Sequence, residues 1–151
     1  MKRIANILSI LALLVAFSHN VNATRQVQDG IIIDKVEHRL NKVLLYQLDS
    51  VTYDALGKKL EFDKSSYSGN WRGHASTFEV KGKKLYLNSI ATSKVHTDFN
   101  GLLDKYLDRK GRVFASWVTG TLICGTGECL HSEPDGLFPV YEQETELVVE
   151  A

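Results

Sequence analysis

The residues of this sequence best suited to acid–base chemistry are His74, His131 and Glu79. A carboxylate that orients a histidine can make it a general base, so a His/Glu pair would fit a hydrolase of envelope polymer or small glycans. The sequence contains no nucleophile elbow, metalloprotease helix, P-loop or dinucleotide fingerprint to hold such a pair. We therefore favour a protein that acts without catalysis, and keep these three residues as the catalytic candidates.

Cys124 and Cys129 are the only cysteines, and a four-residue segment with two glycines separates them. Their flanks read as two strand arms around a glycine-rich loop, which predicts a hairpin with the thiols at bridging distance. We expect a disulfide between them, with two free thiols as the alternative. Redox activity or a metal site fits less well, because the spacing is not that of a redox pair and His131 would supply only a third zinc ligand.

The densest mixture of aromatic, cationic and glycine residues lies in the ten residues that end at His74. Tyr67 and Trp71 offer rigid contact area, and Arg72 offers a planar fork of hydrogen-bond donors. Together with His74 they form the predicted binding segment. The alternative for Trp71 is packing in the core beside a strand, and the alternative for Arg72 is the capping of a surface carboxylate.

Five short motifs follow one another along the chain: Trp71-Arg72-Gly73, Thr77-Phe78-Glu79-Val80, Leu85-Tyr86-Leu87, Val113-Phe114-Ala115-Ser116-Trp117-Val118-Thr119-Gly120 and Tyr141-Glu142. By these motifs the chain resembles a family of small exported or surface-associated bacterial proteins of unknown function, over about residues 50–150. The resemblance implies one β-rich domain and no particular activity. The segment around the two cysteines is not part of the pattern.

Acidic residues are concentrated at the end of the chain. Residues 24–112 contain 16 basic and 11 acidic residues, whereas residues 113–151 contain seven acidic residues and no Lys or Arg. Glu142, Glu144 and Glu146 alternate along a strand-like run, which predicts one acidic strand face. Such a face would suit a basic partner. The alternatives are pairing with a lysine-bearing neighbouring strand and protection of an exposed sheet edge.

The elements that must position these residues are mostly strands. Short runs of alternating apolar and polar residues, interrupted by glycine, follow Leu44, and the run around Gly82 predicts the clearest hairpin. Apolar residues at helical spacing predict one short helix near residues 98–110. For residues 31–45 we expect a short helix or an irregular arm, although strands also fit. The predicted fold is all-β and mainly antiparallel, a small sandwich or partly open barrel with that one helix.

The N-terminal segment predicts export. Lys2 and Arg3 precede an apolar run that ends at Phe17, and Val21-Asn22-Ala23 offers a small-residue cleavage pattern. That run is too short to span a membrane, and no second apolar stretch follows. We expect a signal peptide at residues 1–23, cleaved near Ala23, and one periplasmic or secreted domain at residues 24–151. The exported part contains 16 basic and 18 acidic residues, so it lacks the basic excess that would indicate nucleic-acid binding.

These observations favour recognition over catalysis. We predict an exported binding protein, of inhibitor or immunity type, that needs no cofactor and no metal. Its partner would be a protein or an envelope ligand, with a basic one fitting best, and its contacts would be the binding segment and the acidic strand. Two alternatives stay open, namely the hydrolase with a His/Glu pair and a structural envelope component that assembles through strand edges.

Overall fold

The structure is a computed structural model, and it describes residues 26–62, 68–131 and 139–150. The predicted signal peptide lies outside these ranges. In the described chain there are eight strands and one α-helix: β1 Gly30–Ile33, β2 Val36–Leu40, α1 Ser50–Lys59, β3 Ala75–Lys81, β4 Lys84–Ala91, β5 Val95–His96, β6 Val113–Phe114, β7 Gly120–His131 and β8 Val140–Val149. The predicted class, largely all-β with one short helix, is confirmed.

The eight strands form one mixed sheet. Its order is β5-β4-β3-β1-β2-β7-β8, with β6 beside β4. Every pairing is antiparallel except that of β1 with β3. Tyr86 of β4 pairs with Glu79 of β3 and also with Phe114 of β6, so β6 lies on the edge of β4 opposite β3. Strands β5 and β6 therefore form one edge of the sheet, and β8 forms the other.

The two edges of the sheet face each other across a groove. Phe114 and Ala115, at the β6 edge, line the same groove as Leu147 and Val149 of β8. The sheet therefore curls towards a barrel without closing. Of the two predicted arrangements, the partly open barrel describes it better than the two-layered sandwich.

Two tight turns set the hairpins in the first half of the sheet. Gly82 and Lys83 join β3 to β4 with φ values of 55° and 66°, and Asp34 and Lys35 join β1 to β2 with φ values of 50° and 70°. Positive φ at both central residues defines the type I′ turn, whose twist matches that of the paired strands. The predicted Gly82 hairpin is confirmed. The helix or irregular arm expected for residues 31–45 is wrong over its first ten residues, which the second turn folds into strands.

The α-helix of the described chain, α1, lies at Ser50–Lys59. The prediction of a helix near residues 98–110 is therefore wrong. Asp49 caps α1 by accepting a hydrogen bond from the Thr52 N–H at 2.9 Å, and two lysines lie in its last turn. Signals for both ends of this helix are therefore present in the sequence. An amphipathic helix is identified in a sequence by its apolar stripe. The stripe of α1 is weak, since Val51 is 78% exposed, and the helix was therefore missed.

Residues 98–110 form turns and one short 3₁₀ helix, Asp104–Tyr106. Gly101 has a φ of 78°, in the left-handed region that ends a right-handed helix. Its N–H donates to Asp104 Oδ1 at 2.8 Å, and the Asn100 N–H donates to Asp98 Oδ1 at 3.0 Å. Side-chain acceptors therefore take the place of helical carbonyls and stabilise turns instead.

One hydrophobic core joins the sheet, α1 and the turns. Many of its largest fully buried side chains are aliphatic: Ile31, Leu40, Leu44, Leu45, Leu56, Ile90, Leu103 and Leu122, with Phe78 as the aromatic member. Each such side chain contributes about 1.5–3 kcal/mol when it leaves water. Phe99 is buried in the same core, so the apolar stripe near residues 98–110 identified core residues although no α-helix carries them.

Glycines in β7 make room for side chains of β8. The register of the two strands shifts twice after Thr126, and Gly127 has a φ of 84°. A Cβ atom on Gly125 would come within 2.1 Å of Tyr141 Cδ2. Tyr141 is buried, and its hydroxyl donates a hydrogen bond to the side chain of Gln28. The glycine-rich segment is therefore part of a bulged strand and not the tip of a hairpin.

Replacing Gly125 with alanine should destabilise the fold, because the new methyl group overlaps the ring of Tyr141. We expect the free energy of unfolding to fall by about 1–3 kcal/mol in urea denaturation followed by circular dichroism. In a Tyr141→Ala background, which removes the ring, the same substitution should cost much less. Equal costs in both backgrounds would show that the ring is not the constraint.

Candidate functional site

The predicted binding segment leads into β3, and its residues divide between surface and interior. Trp71 is 52% exposed, whereas Arg72 is 7% exposed and His74 is completely buried. Tyr67 lies outside the described residues. Of the predicted binding residues in this segment, Trp71 is therefore the one that the described structure places at the surface.

Arg72 forms a buried ion pair with Asp29. Its Nη2 donates to Asp29 Oδ1 at 2.9 Å and to the carbonyl of Val27 at 2.7 Å. Its Nε donates to the carbonyl of His74 at 2.9 Å. A guanidinium with these partners holds the N-terminal arm, residues 26–29, against the start of β3. The carboxylate that it pairs with is therefore buried and is not the surface carboxylate expected as the alternative.

Asp29 is the centre of this network. Its Oδ1 also accepts the Ser76 N–H at 2.9 Å, and its Oδ2 accepts the Leu44 N–H at 3.3 Å. Burial raises the pKa of Asp29, and the opposing effect of Arg72 and the two N–H donors is smaller. This carboxyl group therefore joins the N-terminal arm, β3 and the turn that begins at Leu44. Sequence analysis missed it, although an acidic residue directly before the apolar run of β1 was an available signal.

His74 lies in a cluster of aromatic rings. Its Nε2 is 3.0 Å from the hydroxyl of Tyr53, and its ring centroid is 4.4 Å from that of Phe62 and 6.3 Å from that of Tyr46. Burial, and then the neighbouring Tyr46, raise the pKa of Tyr53 above its ordinary value, so its hydroxyl remains protonated. An imidazole enclosed in this way is suited to packing and not to contact with a polymeric substrate.

The other two catalytic candidates lie elsewhere in the sheet. Glu79 accepts hydrogen bonds from Lys81 and Asn88, each at 2.8 Å, and these two partners lower its pKa. His131 is exposed at the end of β7. The carboxylate of Glu79 is therefore engaged by its strand neighbours and does not pair with His74. In the described ranges, no group of three or more His, Cys, Asp or Glu side chains could hold a metal ion.

The predicted disulfide is wrong, because β7 keeps the two cysteines apart. Cys124 and Cys129 are free thiols five positions apart on one extended strand, opposite Thr145 and Tyr141 of β8. At the rise of a strand their Cα atoms are roughly 15 Å apart, whereas bridged cysteines lie within about 7 Å. Burial raises the pKa of Cys124 to about 11, so its thiol is protonated at neutral pH.

β8 carries the predicted acidic stripe along one edge of the sheet. Glu142, Glu144 and Glu146 are all exposed. Among the described strands β8 pairs with β7 alone, and β7 contains no Lys or Arg. The expected alternative, a neighbouring strand whose lysines neutralise the stripe, is therefore wrong.

Two of these carboxylates also contact the backbone. Glu142 Oε2 accepts the Glu128 N–H at 3.0 Å, and Glu144 Oε1 accepts the Tyr141 N–H at 3.4 Å. The first bond supports the bulge of β7, since Glu142 also lies against Gly127. The second is long, so Glu144 and Glu146 are the members of the stripe best placed for contacts with another molecule.

Comparison of the chain with protein-family models, curated proteins and solved structures found no match. The resemblance to small exported bacterial proteins and the cellular location remain predictions from the sequence. In the described part of the chain, no helix has the length and apolar character needed to cross a membrane.

Replacing Arg72 with methionine should destabilise the protein strongly, because Asp29 would remain buried without its counter-ion. We expect the free energy of unfolding to fall by about 3–5 kcal/mol at pH 7. A group whose pKa is higher in the folded state than in the unfolded state stabilises the fold when the pH is below its unfolded-state pKa. That stabilisation is lost as the pH rises through the folded-state pKa. The deficit should therefore shrink as the pH is lowered through the raised pKa of Asp29, because protonation removes the unpaired charge.

The control for this variant is Trp71→Ala, which changes an exposed neighbour and should alter stability by less than about 0.5 kcal/mol. Urea denaturation of both variants at several pH values measures the difference. A small, pH-independent loss for Arg72→Met would contradict the role assigned to the ion pair.

Both cysteines should be free in the purified protein. A thiol reagent should titrate two groups after unfolding, and in the native protein it should modify Cys129 well before Cys124, because Cys124 is buried. Intact mass with and without a reductant should be the same. A mass lower by two hydrogen atoms without reductant would contradict the separation of the cysteines along β7.

Proposed function

We propose that this protein is an exported binding protein, of inhibitor or immunity type, whose acidic edge strand β8 recognises a basic surface of a partner protein. The observation that carries the proposal is the position of Glu142, Glu144 and Glu146 on an edge strand that pairs, among the described strands, with β7 alone, which contains no Lys or Arg. In the described part of the chain these carboxylates form no ion pair, so they are available to a partner.

The spacing of these carboxylates lets them act together. Alternate residues of a strand lie about 6.6 Å apart, which is less than the Debye length of about 8 Å at physiological ionic strength. Their potentials therefore overlap and would accelerate the approach of a basic partner. Once bound, each pair at the rim would contribute modestly, and the match of charge patterns would provide specificity.

In this proposal the buried residues of the binding segment have a structural role, and the exposed one has a binding role. Arg72 and His74 support the fold, and Trp71 is retained as a second contact because a half-exposed indole can become an anchor at an interface. The hydrolase alternative gains no support from Glu79, which is engaged by Lys81 and Asn88. Assembly of an envelope structure through β8 would place glutamates of two copies side by side, which is unfavourable.

Neutralising the outer part of the stripe should weaken partner capture. In affinity capture from an envelope extract, the variant Glu144→Gln/Glu146→Gln should retain basic proteins about five- to tenfold less well and release them at lower salt, because two favourable charge pairs are lost. Elution by a salt gradient followed by mass spectrometry measures both effects.

The matched control is Asp54→Asn/Glu61→Gln, which removes the same charge from exposed positions on α1 and just beyond it. This control should capture the same proteins and release them at the same salt as the unmodified protein. Equal behaviour of the two double variants would rule out a specific role for β8.

A further inference from the structure

The groove between the two sheet edges is mainly apolar and is lined on one side by the C-terminal end of β8. It has a volume of about 520 Å³. Leu85, Phe114 and Val118 line one side of it, and Leu147 and Val149 of β8 line the other. A strand laid in this gap would extend the sheet beyond β8 and bring the partly open barrel nearer to closure.

On the side away from β7, the backbone of β8 has hydrogen-bonding groups that no other described strand pairs. Ile123 of β7 directs both its N–H and its C=O to Asn41, on the β2 side. Glu146 is the register partner of Ile123, so it belongs to a non-hydrogen-bonded pair of β7 and β8. Its own N–H and C=O therefore point away from β7. Alternate residues of a strand direct their backbone groups to the same side, so the N–H and C=O groups of Glu144 and Val148 also lie on the free edge.

We propose that an extended segment of the partner, with alternating basic and apolar side chains, adds to the free edge of β8 as a further strand. This inference rests on the proposed function and names the chemistry of the partner. Main-chain hydrogen bonds to Glu144, Glu146 and Val148 supply affinity, and the alternate side chains supply specificity.

The two faces of β8 dictate the alternation in the partner. Leu147 and Val149 pack against the hydrophobic core, whereas Glu144 and Glu146 on the other face are exposed. The C-terminal end of β8 therefore has an apolar side and an acidic side. Residues opposite each other in neighbouring strands share a face. Apolar residues of the added strand therefore enter the groove beside Leu147, and its Lys or Arg residues lie outside beside Glu144 and Glu146.

Charge decides between the possible occupants of the edge. A second copy of this chain would bring glutamates against glutamates, whereas a basic segment complements them. Lys83 and Lys84 lie on the opposite side of the groove, and Lys84 Nζ is 5.0 Å from the centre of the Phe114 ring. The cations of the occupant are therefore drawn to the β8 side and away from the lysine side.

The test uses a short fluorescent peptide of alternating lysine and valine with blocked ends, titrated into the purified protein and followed by anisotropy. Two control peptides have the same composition arranged in blocks, or glutamate in place of lysine. The protein variants are Val148→Pro, which removes one N–H on the free edge, and Val148→Ala, which shortens the side chain and keeps that N–H. Proline is tolerated on edge strands where the N–H does not pair.

We expect the alternating peptide to bind, with at least about tenfold loss in Val148→Pro relative to Val148→Ala and about fivefold loss in Glu144→Gln/Glu146→Gln. The block and glutamate peptides should bind far less. If Val148→Pro fails to fold, backbone NMR of the unmodified protein gives the second measurement. The amide signals of Glu144, Glu146 and Val148 should then shift more on peptide binding than those of β5, at the other edge.

Other outcomes separate the two proposals. Equal binding of the alternating and block peptides, with no preferential shift in β8, would overturn strand addition while leaving the acidic recognition surface intact. Failure of every lysine peptide to bind would also overturn strand addition. If Glu144→Gln/Glu146→Gln captured partners normally as well, the proposed function would fall too. Dimers in sedimentation that Val148→Pro dissociates would assign the edge to a second copy.

Discussion

The burial of one carboxyl group, that of Asp29, constrains the arrangement of this sheet. Asp29 can remain in the interior only while Arg72, Ser76 and Leu44 supply their hydrogen bonds. Those partners hold the arm before β1 against the start of β3, and the two strands run side by side in the one parallel pairing of the sheet. The β3–β4 hairpin and the β7–β8 pair lie on opposite sides of β1 and β2, and β6, beside β4, faces β8 across the groove.

The acidic residues that are concentrated at the end of the sequence also lie in one region of the structure. The last part of the chain, which has no Lys or Arg, forms β7 and β8 as neighbours. Among the described strands, the cation-bearing β2 pairs with β7 on the side away from β8. Charged side chains on an edge also discourage unwanted strand pairing. Protection against random partners and selection of a basic partner are therefore compatible roles for the same glutamates.

Sequence reasoning was reliable where a local rule decides the structure. Gly82 requires only that a two-residue turn accept positive φ, and the hairpin around it is present as predicted. It failed where tertiary packing decides. Gly125 and Gly127 resembled a hairpin tip, but they are glycines because Tyr141 and Glu142 of β8 occupy the space above them. The predicted disulfide failed for the same reason.

The candidate site, like the fold, was predictable from the sequence where local patterns decide and not where long-range contacts decide. The alternation of Glu142, Glu144 and Glu146 correctly indicated an acidic strand face, but the identity of the neighbouring strand depends on long-range pairing that no local pattern encodes. Arg72 looked like a ligand-binding residue because its partner, Asp29, lies 43 positions away in the sequence. An arginine without a visible local carboxylate is as compatible with a distant buried partner as with a ligand.

A partner bound at the free edge of β8 should protect the backbone amides of that edge. Hydrogen exchange of backbone amides, measured for the protein alone and with a partner captured from an envelope extract, tests this most directly. We expect exchange to slow at Glu144, Glu146 and Val148 when the partner is bound. Slowing confined to other regions, with these three amides unchanged, would contradict it.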